Sequence, residues 1–154
     1  MPAQDLYHDL VKNVLRKDGW RITHNPFRLR KPRRVRQPIP DRALEVAETS
    51  LLGAEQDERK IAVAVKSFVG LEPDVLEQTL EALSYSRALL YALDHDRVLY
   101  LAIRRATYET LYNGMVEPQI LNKLEVPLLV FEPRSESIVA WLPRHDYVSH
   151  TELA

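Results

Sequence analysis

The segment 59–68, RKIAVAVKSF, constrains the fold more than any other part of the chain. Successive side chains of an extended backbone point to opposite faces. Ile61, Val63 and Val65 therefore share one face, and Ala62, Ala64 and Lys66 share the other. Both faces are apolar until Lys66. Such a strand must be covered on each side, which predicts a central strand over residues 60–68 of a layered domain. It also poses a chemical question. A lysine closing a buried strand is either a snorkelling surface residue or the remaining half of a catalytic pair.

The surrounding pattern supplies the covering layers. Asp5 can cap a helix over residues 6–18, with Gly19 as its stop. Leu6, Leu10 and Val14, beside Tyr7, Val11 and Leu15, make its apolar face. WRITHNPF alternates through Trp20 and Ile22 and predicts a short strand ending at Pro26. Residues 28–42 hold three prolines and a dense run of arginines, which excludes a regular helix or a central strand and predicts an exposed loop or arm. Residues 43–56 fit a helical turn or an edge strand.

Pro73, with acids around it, opens a helix over residues 72–93 whose buried stripe is Val75, Leu76, Leu80, Leu83, Ala88 and Leu89. RVLYLAI, 97–103, is a further strand. Short helices are expected at about 106–112 and 117–124. VPLLVFE and ESIVAWL form a hairpin through PRSE, and 143–154 is a polar tail. The expected fold is α/β, with a mixed central sheet flanked by helices in one domain over 1–142.

Composition excludes several chemistries. A length of 154 residues fits one domain with a real core, and a formal net charge of -1 gives no global steering toward nucleic acid. The absence of cysteine removes disulfides, thiolate metal sites and cysteine nucleophiles, and fits a reducing cytoplasm. MPAQDLYHDL has acids and no apolar run, so no signal peptide is expected. No segment approaches the roughly 18 apolar residues of a membrane span. Neither phosphate-binding glycine loop is present. Ser67, Ser84 and Ser86 lack a glycine elbow, and His24, His95, His145 and His150 share no ligand spacing. Trp20 and Trp141 are expected as core or interface anchors.

An acid two residues before a lysine, both at one strand end, is the ExK element of the PD-(D/E)XK nuclease superfamily. The rest of the chain extends that likeness. DLYHDLVKNVLRKDGWRITHNPFRLR, LLGAEQDERKIAVAVKSFVG, RVLYLAI and VPLLVFEPRSESIVAWL resemble, in order, the segments of the XisH family of fdxN-element excision controlling factors. The resemblance implies a restriction-endonuclease-like core, Mg²⁺-dependent cleavage of DNA, action in DNA rearrangement and an XisI-like partner. A homo-oligomer stays open. In such sites carboxylates hold Mg²⁺, and the lysine stabilises charge or orients the attacking water.

Carried over residue by residue, Lys66 takes the lysine role, Glu55 matches a family acid, and Glu45 and Glu48 are alternative stand-ins for the aspartate. The family's strand glutamate is replaced by Ala64. The glutamine of the following helix has no match near Ser84 and Tyr85. A methyl group ligates no hard cation, so the resemblance implies metal affinity and cleavage reduced by orders of magnitude. Two origins stay open: drift to a pseudonuclease, or deliberate replacement of a glutamate. The alternative function is a non-catalytic subunit binding DNA or protein.

Arg28, Arg30, Lys31, Arg33, Arg34 and Arg36 are the candidate nucleic-acid contacts, since each cation that neutralises a phosphate releases counterions. The competing reading is a solubilising arm or a site for an acidic partner. His8 and Lys12, one helical turn apart, either contact a phosphate or the active-site acids, or serve as a structural cap or surface contact.

Overall fold

The computed structural model describes residues 6–30, 47, 50–68, 72–111 and 126–142. Helix α1 (His8–Lys17) leads into strand β1 (Arg21–Arg28), followed by β2 (Ser50–Gln56) and β3 (Arg59–Val65). Helix α2 (Pro73–Leu93) then crosses over to β4 (Arg97–Arg104). A short helix α3 (Arg105–Thr110) follows, and the hairpin of β5 (Leu128–Glu132) and β6 (Ser137–Leu142) ends the described fold. The strands form one six-stranded sheet in sequence order. β3–β4 and β4–β5 are parallel, and the remaining pairs are antiparallel. This is the expected mixed sheet flanked by helices.

The two-faced apolar pattern of β3 divides the core. Ala62 and Ala64 face α2, among Leu76, Leu83, Leu89 and Leu90. Ile61, Val63 and Val65 face α1, among Val11, Leu15 and Trp20. Small side chains on the α2 side let that helix lie close, with leucines filling the space between. Trp20 and Trp141 are both buried, with ring centroids 5.6 Å apart. They anchor the core as expected.

Several expectations change. β1 runs through Pro26 to Arg28 rather than stopping at the proline, because it is the edge strand and shifts register on both sides of His24. β2, ambiguous in sequence, is a strand and lies inside the sheet rather than at its edge. β3 ends at Val65, three residues early. The 6–18 helix begins at His8, its preceding residue Tyr7 gives no side-chain cap, and Leu6 stands exposed ahead of it. Gly19 does stop the helix, at φ +89°.

On α2, Val75 and Ala88 are exposed, while Leu90 and Ser86 are buried in their place. Ser86 returns its hydroxyl to the carbonyl of Ala82 at 2.8 Å. The arginine-rich loop beyond Arg30, the helix expected at 117–124 and the 143–154 tail lie outside the described residues. Among those described, no helix is long and apolar enough to cross a membrane.

Candidate functional site

The β2–β3 hairpin decides which acids can meet Lys66. Its turn is Asp57–Glu58, with Asp57 at φ 55°. Gln56 is opposite Arg59, Glu55 opposite Lys60, and Leu52 opposite Val63. The same register carried on sets Leu51 opposite Ala64 and Ser50 opposite Val65. Lys66 follows at the carboxyl end of β3, half-buried, with its backbone N–H donating to the Ala102 carbonyl at 3.1 Å. Ala64, two residues earlier, has 0% exposure and lies among leucines.

The structure therefore does not bring Glu55 to Lys66. Level with Lys60, Glu55 lies six residues of strand away, roughly 20 Å. It serves another purpose. Arg97, whose side chain is only 3% exposed, places Nη2 3.4 Å from Glu55 and Nε 3.1 Å from Asp94. Its Nη1 donates to the Ile61 carbonyl at 2.9 Å, and its guanidinium carbon stands 5.0 Å from the centre of the Phe27 ring. Arg21 adds a 3.6 Å contact to Glu55. Glu55 thus balances arginines at the amino end of β3 and β4, which corrects its grouping with Lys66. Glu45 and Glu48 lie outside the described residues. Among the described residues, no group of three or more His, Asp or Glu is gathered for a metal ion.

The carboxyl end gathers different side chains. Arg28 is opposite Ser50, so the arginine run leaves the sheet at the Lys66 end, with Arg28 and Arg30 exposed and Leu29 buried between them. Lys31, Arg33, Arg34 and Arg36 lie outside the described residues. Arg104 closes β4, donating from Nη2 to the Ser67 carbonyl at 3.2 Å. Arg105 and Arg134 stand beside it around a cavity of about 550 Å³. A larger cavity of about 920 Å³ opens at the amino end, against Trp20, Arg59, Lys60 and Trp141. Lys66 lines neither.

His8 is 6% exposed and its Nε2 pairs with Asn25 Oδ1 at 2.8 Å, tying α1 to β1. This is a buried link between two elements rather than a cap or surface contact. Lys12 meets Asp9 at 3.7 Å. Arg97, Arg104 and Arg134 were not singled out from sequence. The available signals were arginines at both ends of an apolar strand, R-VLYLAI-RR, and one in the hairpin turn.

The family model described as XisH protein matches residues 1–139. The crystal structure of an fdxN element excision controlling factor protein from Anabaena variabilis is 31% identical, with a TM-score of 0.68, covering 88% of this chain and 97% of that one. An XisH family protein from Nostoc punctiforme is 30% identical, with a TM-score of 0.66, covering 89% and 98%. No curated protein matches. With a match along nearly its whole length and two such relatives, the chain belongs to the XisH family.

Proposed function

We infer that this chain is a DNA-processing factor of PD-(D/E)XK descent, acting in the excision or control of a mobile DNA element as the name of its Anabaena relative describes. Its own metal-dependent cleavage is weak or absent. The observation that carries this reading is the Ala64–Lys66 pair. A lysine directly follows a central strand, and the position two residues earlier holds a sealed methyl group among leucines. A PD-(D/E)XK site needs a carboxylate there to bind Mg²⁺. The order helix, three antiparallel strands, helix, parallel strand supports the same ancestry.

Glu48 and Glu45, which lie outside the described residues, are the acids this reading assigns to a residual Mg²⁺ site. When bound, the metal would polarise a phosphate and supply hydroxide. Lys66 would stabilise the developing charge. Arg28, Arg30 and the arginines after them would hold the backbone of the DNA. An XisI-like protein is the proposed partner.

The test is cleavage of plasmid DNA by the purified chain with Mg²⁺ or Mn²⁺. The wild type leaves DNA intact, and Ala64→Glu gains metal-dependent nicking that Lys66→Ala removes again. The inserted carboxylate enters an apolar layer and lowers stability by about 2 kcal/mol, and Mg²⁺ recovers part of that loss. Metal-dependent cutting by the wild type, lost in Lys66→Ala, would overturn the silent-subunit reading.

A further inference from the structure

The 550 Å³ cavity beyond β4 has no part in that site. Its wall is built around Arg104. Nη2 of that residue donates to the Ser67 carbonyl, and the guanidinium carbon stands 5.4 Å from the centre of the Tyr7 ring. The fork is thereby fixed in place before any ligand arrives, so little side-chain freedom remains to be lost on binding. Its Nε is buried and, among the described residues, has no hydrogen-bond partner. Buried donors are nearly always satisfied, so this one is an exception in need of an explanation.

Two more arginines share the cavity. Arg105 is held by Glu109 at 3.0 Å with both side chains half-exposed, so that pair adds little net charge. Arg134, in the exposed β5–β6 turn, has no partner among the described residues. Glu132 is the remaining acid of the lining. Set against one another, Arg104, Arg105 and Arg134 exceed Glu109 and Glu132 by a single positive charge. That surplus matches one phosphodiester, which carries one negative charge, better than a phosphate dianion.

We propose that this cavity seats a phosphodiester group of a nucleic-acid backbone, as a second anchor on the α1 side of the sheet. The proposal rests on the reading above that the chain binds DNA, and adds where a backbone phosphate is held. Lys66 hydrogen-bonds β4 at Ala102, two residues before Arg104. At the spacing of neighbouring strands, the Arg104 backbone lies within roughly 10 Å of the Lys66 backbone, at the same end of the sheet.

The experiment uses the full chain and a short DNA duplex without terminal phosphates. Nε–H resonances of the arginines and fluorescence anisotropy over a salt series are recorded for the wild type and Arg134→Ala. Addition of duplex shifts the Arg104 and Arg134 resonances. Arg134→Ala weakens binding several-fold and lowers the slope of log affinity against log salt by about 1. Arg104→Lys, which keeps the charge and loses the fork, weakens binding as well. Duplex binding with both resonances unmoved and Arg134→Ala at wild-type affinity would sink the anchor and leave the DNA reading standing. No duplex binding by the wild type at low salt would sink both. Inorganic phosphate shifting the resonances as strongly as duplex would overturn the diester assignment.

Discussion

The two ends of the sheet use arginine in opposite ways. At the amino end, Arg97 is sunk beneath the strands and enclosed by Glu55, Asp94 and the Ile61 carbonyl. At the carboxyl end, Arg28, Arg30 and Arg134 stand in solvent, and Arg104 keeps a donor unmet among the described residues. A cation matched inside the fold holds strands together, and one left outside is available to a ligand. The net charge of the chain hides this division, since near-neutrality is a sum over both ends.

The largest effect expected from this contrast is at Arg97. Arg97→Ala leaves the Ile61 carbonyl and Asp94 without their cation and Glu55 with Arg21 alone, and destabilises the fold by about 3–5 kcal/mol. Urea denaturation with an unchanged m-value would measure it. A loss under about 1 kcal/mol would mean that the amino end does not depend on its charges. Glu55→Gln keeps an acceptor but removes the charge facing Arg97 and Arg21. A smaller loss of about 1 kcal/mol is expected, since the Glu55 side chain is 24% exposed.

At the other end the order of effects reverses. Arg28→Ala with Arg30→Ala changes stability by less than about 0.5 kcal/mol. The same pair lowers the salt slope of DNA binding by about 2. Loss of stability comparable to Arg97→Ala, or an unaltered slope, would erase the distinction between the two ends.

Much of the fold was legible because it rests on local pattern. The two faces of β3, the opening of α2 at Pro73 and the β5–β6 hairpin follow from periodicity and turn chemistry. The path of β1 through Pro26 did not, since a proline is tolerated there only by virtue of an edge position set by distant strands. The burial of Arg97 was equally hidden, because its partners come from β2, β3 and the end of α2.

Of the candidate site, alternation places Lys66 two residues after Ala64 on one strand, but the expected grouping of Glu55 with Lys66 does not survive the hairpin register. The signal that corrects it is present in the sequence. A two-residue turn at Asp57–Glu58 makes each opposed pair of positions sum to a constant, which sends Glu55 to Lys60.

The tryptophan contact bears on how the chain is made. Trp20 follows the first helix and Trp141 belongs to the last strand, so a ribosome must deliver nearly everything before the two rings can meet. Until then the oily side of α1 has lost part of its cover. A product that stops short of β6 would be expected to expose that side and to become a substrate for chaperones and proteases.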